Sequence, residues 1–328
     1  MLRTLSATSE YWPLATPFRI SRGVRTEADV VVAEVRQGDL VGRGEGAPIP
    51  RYGDTVDSCV AQLQSVAKFV EHGLGRRDLL DLLPPGAARN ALDCALWDLE
   101  ARLAGRSVGE LIGRKLRGYV TTALTVSLDA PQAMGAAAAK LAGYPLVKVK
   151  VNADDPAAQL RAVRAEVPDA VLIVDANEAW DMDLLRAMQP HLAELRVALL
   201  EQPLPAADDE ALEGFAPSVP ICADESCHVA EDVVRLTGRY QAVNIKLDKT
   251  GGLTAALDLL GAARAHGMTV MTGCMVTTSL SIAPAFHVAE QADFVDLDGP
   301  TWLLQDRQGG VVLKDQRLLA PSGSLWGG

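Results

Sequence analysis

From about residue 118 to residue 302 the chain alternates between strand-like and helix-like segments. VTTALTVSL, PLVKVKV, AVLIVDAN, VALLEQPL, PICADES, AVNIKLDK, MTVMTGCM and DFVDLDGP have the short apolar texture of buried strands. Segments such as DPAAQLRAVRAEV, DMDLLRAMQPHLAEL and LTAALDLLGAARAHG separate them and place apolar residues at helical spacing. Eight strands alternating with seven evident helices imply a parallel sheet, because each helical crossover returns the chain to the same end of the sheet. Eight units favour an α/β fold of the (β/α)8-barrel type over residues 116–302. An open, doubly wound sheet is the structural alternative.

Residues 1–115 read as an α+β capping domain. ADVVVAEVR (28–36), the turn QGD and LVGRGEGAP (40–48) form a hairpin pattern. GRGEG is glycine-rich but has no strand–turn–helix context, so a phosphate loop is not expected. Helices are expected over 55–72 and 87–104, with Leu92, Leu96, Leu99 and Leu103 as the core stripe of the second. The tail, 303–328, is loop- and strand-like and is expected to pack back on this cap.

A net charge of −11 argues against nucleic acid or an anionic membrane as partner. No apolar run is long enough to span a bilayer, and MLRTLSATSEYWPL has no leader pattern. The five cysteines are odd in number and scattered, which reads as reduced thiols in the cytoplasm. CADESCH (222–228) lacks the paired spacing of a zinc site. Homo-oligomerisation is compatible with the sequence but not specified by it.

The strands end in charge. Lys148 and Lys150 close the second, Asp175 the third, Glu201 the fourth, Asp224 the fifth, Lys246 the sixth, and Asp296 and Asp298 the eighth. In NIKLDK (244–249), strict alternation predicts Asn244, Lys246 and Asp248 on one strand face. The C-terminal ends of parallel barrel strands converge on one mouth, so the terminal charges are expected to meet there. Asp175, Glu201 and Asp224 would repel one another without a cation between them. Oxygen-only ligation suits a hard ion, Mg²⁺ above all, with Mn²⁺ as a substitute. Lys150 and Lys246 are expected on opposite sides of that ion, a layout for taking a proton from one face of a carbon acid and returning it to the other. A lysine of ordinary pKa is neutral in only about one molecule in 2,500 at pH 7. Burial, the neighbouring Lys148 and the metal are expected to lower it.

The ordered set KVK, DAN, EQP, ADES and NIKLDKTGG resembles the enolase superfamily, specifically its muconate-lactonizing subgroup, over essentially the whole chain. Enolase-superfamily sites are known to pair a lysine or histidine base with Mg²⁺, so that pairing is what the resemblance implies. The resemblance also implies that Asp175, Glu201 and Asp224 bind the metal. It implies that Lys150 and Lys246 are the acid/base pair, and that Lys148 helps to hold the substrate carboxylate and its enediolate. DLDGP (296–300) is similar to the D-x-D of dipeptide epimerases, whose aspartates hold the substrate's free ammonium; period two puts Asp296 and Asp298 on one strand face. PFRISRGVRTEADVVV, PRYGDT and GAARNALDCALWDLEA are similar to the L-Ala-D/L-Glu-specific members. There a cap-loop arginine pairs with the glutamyl side chain; Arg22 is favoured here and Arg25 is the alternative. Thr125 matches a substrate-contacting position. GCMVTTS shows no acidic residue where some relatives have one, which leaves that pocket wall unassigned.

The implied function is a Mg²⁺-dependent dipeptide epimerase acting on L-Ala-D/L-Glu from murein peptides. N-acylamino acid racemase and o-succinylbenzoate synthase use the same lysines and metal, but have no need of an ammonium-binding aspartate pair. A non-catalytic ligand-binding barrel is the alternative from another class, and two opposed lysines would be idle in it.

Overall fold

The computed structural model describes residues 2–328, and its sheets divide along the chain. Strands β1 (Thr4–Ile20), β2 (Gly23–Gln37) and β3 (Leu40–Gly46) form an antiparallel sheet in that order. The hairpin pattern covers only two of these three strands, because β1 pairs with β2 over nearly its whole length. Much of β1 is exposed or half-buried and therefore lacks a long apolar signature.

The glycines of GRGEG have a packing role. Gly42, Gly44 and Gly46 alternate along β3 under the helix Ala87–Ala104, on the face shared with Val31, Ala33 and Val35. A Cβ on Gly44 would stand 2.1 Å from Ala91 O, and one on Gly46 would stand 2.1 Å from Ala87 O. The helix backbone therefore rests directly on the strand. Leu92, Leu96 and Leu99 are fully buried as expected. Leu103 is instead 41% exposed, because the helix runs one turn past the glycine stripe. The expected 55–72 helix is split at Val66 into Val56–Ser65 and Ala67–Glu71, its start closed by a Thr55–Ser58 capping box.

Strand β4 (Tyr119–Val120) leads into the barrel: β5 (Leu124–Val126), β6 (Leu146–Lys150), β7 (Val171–Asp175), β8 (Val197–Glu201), β9 (Ile221–Ala223), β10 (Ala242–Ile245), β11 (Thr269–Gly273) and β12 (Phe294–Asp296). All eight are parallel and neighbour one another in sequence order. Ala123 N donates to Val295 O at 2.7 Å, bringing the two edges together. The open-sheet alternative is thereby excluded. The connection after β8 is a 3₁₀ stretch, Ala206–Leu212, rather than an α-helix. In the tail, β13 (Val312–Lys314) and β14 (Arg317–Leu319) form an antiparallel sheet with β4. The last residues reach the cap helix, where Trp326 Nε1 donates to Cys94 O and Gly327 N to Asp98. No helix among the described residues is long and apolar enough to cross a membrane.

The cap grips the barrel at one segment above all. Asn90 Nδ2 donates to Asp248, Arg89 to the carbonyls of Thr250 and Gly251, and Thr254 N to Asp93. Asp248 does not share a strand face with Lys246 as alternation predicts. The strand ends at Ile245, and Leu247–Thr250 makes a helical turn that sends Asp248 to Ala47 N and Asn90.

Gly44→Ala should destabilise the protein by about 1–3 kcal/mol or more, since the helix must lift off the strand. Gly261 lies in the helix Leu253–Ala265 with nothing within 4 Å of its Cβ position. Gly261→Ala should be neutral or stabilising by about 0.5–1 kcal/mol. Urea unfolding of the two variants checks the pair, and equal midpoints would contradict the direct helix–strand contact.

Candidate active site

Side chains alternate between the inside and outside of each barrel strand, and the inside fills in two storeys. The lower storey is apolar: Ala123, Leu146, Ile173, Leu199, Cys222, Ala242 and Met271, with Phe294 packed against them. The next inward position is polar on nearly every strand. Thr125 comes from β5, Lys148 from β6, Asp175 from β7, Glu201 from β8, Asn244 from β10 and Asp296 from β12, with Asp224 just after β9. Strand β11 contributes Gly273, and a Cβ there would crowd Asn244 at 2.8 Å and Lys246 Cε at 3.0 Å. Lys150, Lys246 and Asp298 stand at the strand ends around this layer, all buried. The charged residues read from the strand ends thus do meet at one mouth.

Lys148 is central. Its Nζ lies 2.6 Å from Glu201 Oε2, 2.8 Å from Asp296 Oδ2 and 3.1 Å from Asp175 Oδ2. Lys150 Nζ lies 2.5 Å from Asp175 Oδ2, and Lys246 Nζ 2.6 Å from Asp224 Oδ2. Asn244 Nδ2 donates to Glu201 Oε1 at 2.7 Å, and Asn177 N to Asp175 Oδ1 at 2.9 Å. Lys150 on β6 and Lys246 at the end of β10 are four strands apart in an eight-stranded barrel, hence across the mouth from one another.

The electrostatics differ from the expectation for the lysines. Burial pulls Lys246 down, but Asp224 and Glu201 outweigh it, and its pKa is raised. Lys148 is raised as well, because Asp296, Glu201 and Asp175 overcome burial. The carboxylates divide. Burial and Asp175 push Glu201 up to about 7, whereas Lys246 and Lys249 hold Asp224 well below the usual range against its burial. Without a cation on those oxygens, the carboxylates favour the ammonium form of Lys148 and Lys246 over free amine; a cation bound to the same oxygens would weaken that preference.

Lys249 carries no signal in the sequence pattern. It is fully enclosed, with Nζ 2.6 Å from Asp224 Oδ1 and donating to the carbonyls of Cys227, Asn244 and Asp224. It lies three residues after Lys246, in the turn beyond the strand. Strand periodicity could not have placed it there.

Asp175, Glu201 and Asp224 are the residues able to hold a metal. Their donors are all buried oxygens, and Glu201 Oε2 and Asp224 Oδ1 have ammonium neighbours at 2.6 Å but no aligned hydrogen-bond donor. Among the described residues no three acidic, cysteine or histidine side chains form a ready-made metal cluster. Lysine ammonium groups lie between the carboxylates instead. The donor chemistry fits a hard cation, which would compete with those groups for the same oxygens.

Above this layer is a cavity of about 400 Å³. Its roof comes from two cap loops, residues 18–25 and 49–52, and its walls include Thr125, Cys274, Met275, Val276, Asp296, Asp298 and Trp302. Asp296 and Asp298 both reach it, but only Asp296 is on strand β12; Asp298 caps the 3₁₀ turn Gly299–Trp302. Asp298 Oδ2 accepts from Thr125 N at 2.8 Å, and burial together with Asp296 pushes its pKa up to about 7. Asp296 Oδ1 is buried with no partner. Arg22 donates to Glu225 at 2.7 Å, Glu178 at 3.0 Å and Asn177 O at 2.7 Å, while Arg25 also lines the cavity and is exposed.

Residues 2–113 match the N-terminal domain of mandelate racemase / muconate lactonizing enzyme, and 132–323 match the enolase C-terminal domain-like family. The chain belongs to the enolase superfamily. It is 52% identical over 307 residues to L-Ala-D/L-Glu epimerase of Escherichia coli (strain K12), covering 93% of this chain and 96% of that one. It is 42% identical over 303 residues to N-acetyl-D-glutamate racemase of a Pseudoalteromonas species, covering 91% and 95%. Among solved structures, an enolase family member from Agrobacterium tumefaciens with homology to dipeptide epimerases, bound to sodium and L-Ala-L-Glu, superposes with a TM-score of 0.96. That pair is 47% identical and covers 99% and 100% of the two chains. A dipeptide epimerase from Enterococcus faecalis V583, complexed with Mg and L-Leu-L-Tyr, has a TM-score of 0.90 at 28% identity, covering 98% of each chain. The chain is accordingly an isomerase of the racemase and epimerase class.

Mg²⁺ should raise the unfolding midpoint if the three carboxylates hold it. At about 100 times the dissociation constant, the added stability is about 2.7 kcal/mol. Asp175→Asn should remove most of that response. A parent midpoint that Mg²⁺ leaves unmoved would sink the ligand assignment.

Proposed function

We propose that this enolase-superfamily member is a Mg²⁺-dependent dipeptide epimerase. It would transfer a proton between the two faces of the α-carbon of the C-terminal residue, with L-Ala-D/L-Glu from murein peptides as substrate. The observation that carries this reading is the placement of buried Lys150 and Lys246 across a mouth lined by carboxylates. A binding barrel has no use for two opposed bases. Asp175, Glu201 and Asp224 are assigned to Mg²⁺, with Mn²⁺ as its substitute. When bound, the ion supplies positive charge that offsets the negative charge developing on the substrate carboxylate. Lys148 contributes a second fixed positive charge to the same place. Lys150 is assigned to the L-glutamyl epimer and Lys246 to the D-glutamyl one. One removes the α-proton, leaving an enediolate, and the protonated lysine opposite delivers a proton to the other face.

Asp296 and Asp298 are assigned to the dipeptide's ammonium, and Thr125 to substrate contact beside them. The unpartnered Asp296 Oδ1 and the raised pKa of Asp298 support this, since both improve when a cation arrives. Arg22 is assigned to the glutamyl side-chain carboxylate, with Arg25 as the alternative. In this scheme the cap (1–115, with the tail 303–328) and the β12 end set specificity, and the barrel (116–302) carries the chemistry. Cytoplasmic residence is proposed with it, and all five cysteines are unpaired.

The 42% identity to an N-acetyl-D-glutamate racemase supports a second reading in which the amine is acylated. The two readings separate on one comparison. Losing a charge-assisted contact costs about 1.5–3 kcal/mol, so acetylating the dipeptide should lower kcat/KM roughly 10- to 150-fold. Equal rates on free and acetylated substrates would favour the racemase.

The two-base assignment makes a separate prediction. Lys150→Ala and Lys246→Ala should each abolish epimerisation in both directions. In D₂O, Lys246→Ala should still exchange the α-proton of the L,L dipeptide, and Lys150→Ala that of the L,D dipeptide. A folded single variant that exchanges both epimers would defeat the two-base scheme.

A further inference from the structure

Two cap loops, far apart in sequence, roof the cavity and meet at one barrel carboxylate. Glu178 follows β7, at a left-handed φ of 65° that a non-glycine side chain adopts at a cost. Its side chain is only 6% exposed. Oε1 accepts from Arg51 Nη2 at 2.5 Å and from Ala206 N at 2.8 Å, while Oε2 accepts from Arg22 Nη1 at 3.0 Å. Glu178 N donates to Gln202 O at 2.8 Å, fixing the base of the side chain to the loop after β8. Arg22 belongs to the hairpin between β1 and β2, and Arg51 to the turn Pro50–Tyr52 after β3. One rigidly seated carboxylate thus ties both halves of the roof to the barrel. Charge-assisted contacts of this kind are the strong ones, and this one is shielded from solvent on the carboxylate side.

The consequence for selectivity follows from what Arg22 touches. Its guanidinium is shared between Glu178 and Glu225, and Glu225 is next in sequence to Asp224. Its position over the cavity is therefore set by barrel groups, these two carboxylates and the Asn177 carbonyl, rather than by the hairpin that carries it. We propose that Glu178 is the positioning residue that latches both roof loops and aims Arg22, and thereby sets the preference for a substrate with an anionic side chain. This proposal rests on the dipeptide-epimerase reading for its selectivity half; the latch itself does not.

Hydrogen exchange read by mass spectrometry tests the latch without any substrate. Glu178→Gln keeps the size and removes the charge. It should speed amide exchange about tenfold or more in residues 19–25 and 49–53 together, the change expected for losing a charged contact. Arg51→Met, at an exposed position, should speed it in 49–53 alone. Unchanged exchange in Glu178→Gln, or a change confined to one loop, would overturn the latch. For selectivity, Glu178→Gln should lower kcat/KM for Ala-Glu relative to Ala-Leu by about tenfold or more, chiefly through KM. Loosened loops with an unmoved Ala-Glu to Ala-Leu ratio would overturn the aiming role. Should the parent protein itself process no dipeptide, the epimerase reading fails while the exchange data still decide the latch.

Discussion

The structure depends on charge compensation inside a closed barrel. Asp175, Glu201, Asp224, Glu225, Asp296 and Asp298 are buried together with Lys148, Lys150, Lys246 and Lys249. Unpaired, any of these charges would cost several kcal/mol to remove from water. Interleaving lysines with carboxylates makes the layer tolerable, and the apolar storey beneath it closes the barrel to water. The set retains more carboxylates than ammonium groups. That excess leaves a place for added positive charge, whether a divalent ion or a substrate ammonium.

Compensation of this kind works only if the charged groups cannot drift. The cap provides much of that rigidity, although it carries none of the central groups. Arg89, Asn90 and Asp93, on one helix, bind the turn that follows Lys246 and the start of the next helix. Gly251 and Gly252 take positive φ there, at 74° and 113°, and any Cβ would collide with Arg89 or Asp93. The turn in turn directs Lys249 back under Asp224. Glycines in β3 allow the same helix to lie close enough to make these contacts, so cap packing and active-site geometry are one problem.

Relatives with similar folds handle different substrates: an epimerase of L-Ala-D/L-Glu, a racemase of N-acetyl-D-glutamate, and an epimerase solved with L-Leu-L-Tyr. A shared barrel can hold the acid/base groups constant while the roof and the β12 end vary. In this chain the roof carries Arg22, Arg25 and Arg51, and the β12 end carries two aspartates. Both features suit a substrate with separated positive and negative ends.

The barrel and its mouth were legible in the sequence because parallel strands buried on both faces read as short apolar runs that recur once per βα unit. A charge that recurs at the same place in successive units can only converge at one end of a closed sheet. Lys148, Lys150, Asp175, Glu201, Asp224 and Lys246 were found that way. The long β1 strand escaped because its exposed residues carry no apolar pattern. Lys249 and Asp248 escaped because the strand stops at Ile245, and beyond it a turn, not alternation, decides direction. Glu178 was unreadable for a related reason. Its importance comes from two arginines brought to it from distant cap loops, and such a meeting is a property of tertiary packing alone. Local pattern determined which chemistry the chain could carry; long-range packing decided which side chains hold it in place.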